Sequence, residues 1–152
     1  DHVPSTKAFD PYMHLFLDAG NGNVLAFFEL PTQPEMGRDE NTPKWVQHIA
    51  LKVKDRQALI DAKEHLEANG IEVLGITNHG IFHSIYFFDP NGHRLELAYD
   101  DEKAPQKIAM ITEQMKYDML EEWSKTKRAP QHTHFLHADE LSHNSRTAKV
   151  DA

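Results

Sequence analysis

Hydrophobic positions recur along the chain at two spacings, and the two alternate in blocks. Where apolar and polar residues alternate, a strand is expected, because successive strand side chains point to opposite faces. Tyr12 to Leu17 and Val24 to Leu30 read as two such strands around a turn at Gly20-Asn21-Gly22-Asn23, residues that accept left-handed backbone. Pro31 to Pro43 is a polar linker. Trp45 to Val53 alternates again, with Ile49, Leu51 and Val53 on one face and His48, Ala50 and Lys52 on the other. From Asp55 to Asn69 the period becomes helical. Asp55 is placed to cap this helix, Leu59, Ile60, Ala62 and Leu66 form its apolar stripe, and Gly70 ends it. Ile71 to Ile76 follows as a strand. Ile85 to Phe88 and Arg94 to Tyr99 then form a hairpin around Asp89-Pro90-Asn91-Gly92.

Residues 45–99 therefore spell β-α-β-β-β, whereas residues 12–30 spell only the last two strands of the same unit. This is an internal repeat whose first copy lacks its front. Setting Gly22 on Gly92 aligns Asn21 with Asn91 and Leu25 with Leu95, and puts Ala26 on Glu96. The chain opens without Met in a loop-like Asp-His-Val-Pro-Ser-Thr-Lys, so a processed or truncated start is expected.

Two ionisable residues stand out against this pattern. On the last strand Leu95, Leu97 and Tyr99 share one face, so Glu96 points away from the apolar side with Arg94 and Ala98. A carboxylate there is either solvated or held by something cationic. His48 has the same address on its own strand. If the two strands share a sheet, an imidazole and a carboxylate converge on its less apolar face, the donor set that a divalent metal takes.

The run His79, five residues, Ile85-Tyr86, two residues, Asp89-Pro90-Asn91-Gly92, three residues, Glu96 resembles the signature of type I extradiol ring-cleavage dioxygenases. These belong to the vicinal-oxygen-chelate superfamily, which also holds glyoxalase I and bleomycin-resistance proteins. The resemblance implies paired βαβββ modules closing a cupped mixed sheet around a metal, an α+β fold. It implies that Glu96 and His48 are metal ligands, that His79 is an acid/base residue beside substrate and dioxygen, and that Tyr86 bonds the catechol. The family's third ligand is a His opening the first module. His48 lies forty-four residues before Gly92, and the same step back from Gly22 leaves the chain. On that analogy the missing His and its strands come from another polypeptide, a swapped partner or an absent segment. Ala26 matches a two-His, one-carboxylate set. Glu29 is a further candidate, because a one-residue bulge would turn it to Ala26's face and give the four-ligand set of glyoxalase-like isomerases. Asn21, Gly22 and Asn23 stand where many extradiol enzymes carry a second active-site His.

Composition narrows the partners. Sixteen basic against 24 acidic residues give a net charge of −8, with no basic stripe, which argues against nucleic acid. No apolar run reaches membrane-spanning length and no signal peptide is evident, so a cytoplasmic protein is expected. The absence of cysteine excludes a disulfide framework. Beyond Tyr99, Pro105 to Lys127 reads as a helix with Ile108, Ile111, Met115, Met119 and Trp123 on one side; it would pack on the domain, on a partner or over the cup. Residues 128–152 read as a polar arm carrying His132, His134, His137 and His143; His14, His83 and His93 are extra imidazoles on or near the same strands, most of them expected at the surface.

The organisation expected is a domain over 1–104, made of a partial module at 12–30 and a complete one at 44–100, followed by the helix and arm of 105–152. The function expected from the resemblance is a metal-dependent extradiol-type dioxygenase acting on a catechol-like small molecule. Fe(II) is favoured, with Mn, Zn or Ni as alternatives, in a homo-oligomer or a pairing with the missing segment. A glyoxalase- or epimerase-type isomerase and a metal-free sequestering protein are the other readings.

Overall fold

The hairpin that anchors the fold is held by its turn. In a computed structural model describing residues 3, 5–35, 37 and 39–128, the Asp89 carboxylate accepts from the His93 N–H at 2.8 Å, and the Gly92 N–H donates to the Asp89 carbonyl at 2.9 Å. Gly92 sits at φ 81°, where a Cβ would be strained. The chain divides into two compact units, Asp1–Val46 and Gln47–Ala152.

The first unit holds an antiparallel pair, β1 (Met13–Asp18) and β2 (Val24–Glu29). The second holds β3 (His48–Lys52), α1 (Arg56–Ala68), β4 (Leu74–Asn78), β5 (Phe82–Phe88) and β6 (Arg94–Asp100) in a four-stranded mixed sheet of order β3-β6-β5-β4. The chain then continues as α2 (Ala104–Met110), a π-helical turn at Ile111–Met115 and α3 (Lys116–Thr126). The second unit has the β-α-β-β-β order that the alternation predicts.

Several boundaries shift for local reasons. The segment Trp45–Gln47 is turn rather than strand, so β3 starts at the His itself. The fourth strand begins at Leu74 instead of Ile71 and extends to Asn78, with an irregular register between Gly75 and Thr77. Gly75 is required there: at φ 114°, a Cβ would lie 2.7 Å from the Ser84 carbonyl oxygen. The fifth strand starts three residues early, at Phe82, because its outer end pairs with the end of β6, Phe82 opposite Asp100. The predicted C-terminal helix forms but is interrupted by the π turn, which shifts the phase of its apolar stripe; Ile108 and Trp123 remain 45% and 47% exposed. The cap of α1 is as expected, the Asp55 carboxylate accepting from the Ala58 N–H at 2.9 Å.

The apolar face of the sheet carries α1. Leu59 of the helix and Ile85 of β5 are fully buried, and Ile60, Ala62 and Leu66 are half-buried beside them. The β3–α1 crossover makes β3 parallel to β6, setting Ala50 opposite Glu96 and His48 opposite Arg94. This places the two rows of polar residues side by side on the other face.

The repeat is visible in the register. Raising every residue number in the β1–β2 ladder by seventy, the offset between Gly22 and Gly92, returns six of the seven pairs of the β5–β6 ladder, with Phe16 opposite Ala26 becoming Tyr86 opposite Glu96. The β1–β2 ladder has no bulge, so Glu29 stays on the face opposite Ala26.

Replacing Ile85 by Ala should cost about 2–5 kcal/mol, the range for a fully buried aliphatic side chain, whereas Ile49→Ala, at a position 44% exposed, should cost well under half as much. Urea denaturation of the two variants checks the difference.

Candidate functional site

Glu96 lies in the middle of β6 and is 4% exposed. A buried carboxylate is costly unless its oxygens are supplied with donors, and three side chains supply them. The His48 Nε2 lies 2.8 Å from Oε2. The Ser84 hydroxyl donates to Oε1, and the Tyr86 hydroxyl lies 3.2 Å from the same oxygen. The two oxygens are thus differentiated: hydroxyls hold one and an imidazole faces the other.

Each partner is placed by the sheet. Tyr86 is directly opposite Glu96 in the antiparallel ladder, and Ser84, two residues earlier, shares its face. His48 reaches Glu96 diagonally from the first residue of β3. The Tyr86 hydroxyl also lies 2.8 Å from Nε2 of His79, whose ring stacks on Phe82 at 4.5 Å between centroids. A phenol has one proton. With that proton directed to Glu96, an Nε2-protonated His79 donates to the phenol oxygen, and a continuous chain runs from His79 through Tyr86 to Glu96 and His48.

Arg94 lies on the same face, with Cζ 4.2 Å from the centre of the Tyr86 ring. A guanidinium over a phenol face is a favourable cation–π contact. The Tyr86 phenol is pushed above its usual value of 10.0. Burial is the main cause, and the Glu96 carboxylate adds to it, while the Ser84 hydroxyl and the Arg94 charge act in the opposite direction.

The structure brings together all four principal residues that the sequence singles out in this unit: His48, His79, Tyr86 and Glu96. Ser84 is missed by the sequence reading, although the period-two rule that places Tyr86 on this face also places Ser84 there. Arg94 is on the predicted face but is given no role. His83 is not one of the surface imidazoles. It is half-buried on the apolar side, its ring stacks on Tyr99 at 5.1 Å, and its Nδ1 is buried without a hydrogen-bond partner. His14 is exposed on β1 and stacks on Phe28 at 3.9 Å. Glu29 ends β2 in the other unit. The tail histidines, His132, His134, His137 and His143, lie outside the described residues.

The donor set suits a metal in part. Two ligand atoms each about 2.1 Å from a common divalent ion and at right angles to one another lie about 3.0 Å apart, close to the observed His48–Glu96 separation of 2.8 Å. Hydroxyls on the carboxylate's other oxygen provide the outer support that metal-bound carboxylates have. Among the described residues no group of three or more His, Cys, Asp or Glu comes together to hold an ion. His48 and Glu96 fit two ligands of a larger set.

The sequence model of the Glyoxalase/Bleomycin resistance protein/Dioxygenase superfamily matches residues 3–97, and the chain belongs to that superfamily. Within it, the chain is 27% identical over 86 residues to the "Putative ring-cleaving dioxygenase MhqA" of Bacillus subtilis (strain 168). That stretch is 57% of this chain but only 27% of the relative, so the chain spans about a quarter of its length. Among solved structures, the fosfomycin resistance protein FosX of Listeria monocytogenes is 23% identical, with a TM-score of 0.45 over 62% of this chain and 68% of that one. An integron cassette protein from the mobile metagenome of the Halifax Harbour sewage outfall is 26% identical, with a TM-score of 0.44 over 57% and 67%.

The raised phenol has a pH consequence. The folded chain keeps a proton that the unfolded chain gives up near pH 10, so the stability linked to Tyr86 is intact below about pH 10 and is lost as pH climbs towards the raised folded value. Spectrophotometric titration should show a tyrosine component ionising above the normal range, and Y86F should remove it. Denaturant melts over the same alkaline range should show wild type losing stability relative to Y86F.

Proposed function

We propose that this chain contributes His48 and Glu96 as protein ligands to a divalent metal, Fe(II) by preference, in an extradiol-type dioxygenase that opens a catechol-like ring. A further ligand would be drawn from outside the four-stranded sheet. The observation that carries this reading is the buried carboxylate. Glu96 presents one oxygen beside the His48 Nε2 at 2.8 Å, while a Tyr86–His79 chain attaches to the other.

Two His and one carboxylate, with positions left open, is the donor set of non-haem Fe(II) oxygenases. When bound, the iron supplies electron transfer between the diol and dioxygen. The chain's own residues then have separable tasks. Ser84 and Tyr86 fix the Glu96 oxygen that faces them, which leaves the other oxygen aligned with His48. Tyr86, kept neutral at physiological pH with its one proton directed to Glu96, accepts a hydrogen bond from a substrate hydroxyl. His79, in contact with that phenol, takes and returns the diol proton. The unbulged β1–β2 ladder supports this reading over the glyoxalase-like isomerase, because it leaves Ala26 rather than a carboxylate at the position that repeats Glu96. The similarity to a relative described as a ring-cleaving dioxygenase supports it independently.

Elemental analysis after anaerobic purification and Fe(II) loading tests the ligands, and oxygen uptake with a catechol panel tests the reaction. His48→Ala and Glu96→Gln should abolish stoichiometric metal. Ser84→Ala should weaken metal affinity by about 10- to 100-fold, as loss of an outer-shell partner does. His79→Asn should retain metal and lose about 10²–10⁴ in turnover, the usual contribution of a general acid/base. Wild type that takes up no metal yet binds a small aromatic would replace this proposal with the sequestering function.

A further inference from the structure

The position of His79 depends on its turn as well as on its own ring contacts. It sits in the turn between β4 and β5, where its N–H donates to the Phe82 carbonyl at 2.9 Å and the Asn78 side chain accepts from the Gly80 N–H at 2.7 Å. Gly80 is buried and has φ 80°. Glycine at that angle meets no Cβ barrier, so the peptide after His79 depends on its hydrogen bonds for orientation. Both carbonyls of that stretch find partners beyond β6. The Ile81 carbonyl accepts from the Asp101 N–H at 2.9 Å, and the Gly80 carbonyl accepts from the Lys107 ammonium at 2.6 Å. Lys107 is itself held in place, because α2 begins at Ala104, 3% exposed, whose N–H donates to the Asp101 carbonyl at 2.9 Å.

We propose that Lys107 is a positioning residue for His79, and that α2 is therefore part of the site rather than an appendage to it. A charged donor on a carbonyl makes a stronger hydrogen bond than a neutral one, and here it acts one residue after His79. Without it the Gly80–Ile81 peptide loses the partner that fixes its plane. The imidazole would then swing off Phe82 and out of reach of the Tyr86 hydroxyl. The importance of this for catalysis rests on the role given to His79 above, but the positioning itself is measurable without substrate or metal.

The experiment uses the full chain with ¹⁵N-labelled histidine. In wild type the His79 ring should show contacts to Phe82 and Tyr86 in NOE spectra. Lys107→Met should lose both, while the His48 ring resonances and the exchange protection of the Asp101 amide stay as in wild type. Lys107→Arg should restore the His79 contacts, since a guanidinium can supply the same charged donor. Retention of the His79 contacts in K107M would overturn the proposal. So would their loss together with Asp101 protection in a variant that arginine fails to rescue, since Lys107 would then only be docking the helix. If catechol turnover is found, K107M should lower kcat far more than it changes KM. If none is found but the ring contacts depend on Lys107, the dioxygenase reading fails and this one stands.

Discussion

A negative charge kept out of water is the constraint around which the second unit is built. The Glu96 carboxylate sits in the middle of a central strand, where solvent cannot stabilise it, and an unpaired carboxylate in such a place would cost several kcal/mol. The fold therefore brings three donors to it from two neighbouring strands. β5 supplies Ser84 and Tyr86 because antiparallel pairing sets alternate residues on one face. β3 supplies His48 because the α1 crossover returns the chain parallel to β6 on its other side. Removing any one strand would leave an oxygen without a partner. In the function proposed above, the lone pair turned towards His48 is the one a cation would take.

The same hairpin occurs twice with different contents. β1–β2 and β5–β6 share a register under a seventy-residue offset, yet where the second has Tyr86, Glu96 and Ser84, the first has Phe16, Ala26 and His14. Backbone pairing tolerates this exchange because ladder hydrogen bonds do not involve side chains, while chemistry does not tolerate it at all. The first hairpin is also apolar on both faces, with Leu15, Leu17, Phe16 and Phe28 each 45–61% exposed. Two strands alone bury too little to be stable in water, so those faces are suited to contact with further structure.

The C-terminal helix shows how a remote segment can matter to a site without touching the reacting groups. It places the Lys107 ammonium on the turn that follows His79, reached from twenty-seven residues away in sequence. The Lys107 side chain is half-buried there, so the contact is less screened than a surface pair would be.

By itself the sequence determined what is periodic or local. Alternation fixed which residues of β3, β5 and β6 face together, the Asp55 and Gly70 signals bounded α1, and the Asp-Pro-Asn-Gly turn placed the second hairpin. The spacing from His79 to Glu96 marked the superfamily. Long-range pairing was legible only as a condition, that His48 and Glu96 meet if their strands share a sheet. The tertiary structure decided that they do, because strand order depends on which faces bury against α1, a property of no single segment. It also decided what no period announces. Ser84 became a partner of the carboxylate because strand pairing sets it two residues from Tyr86 on the face of Glu96, the register of β4 became irregular next to the close approach of Gly75 to Ser84, and Lys107 was joined to the His79 turn by a helix whose own pattern says only that one side is apolar.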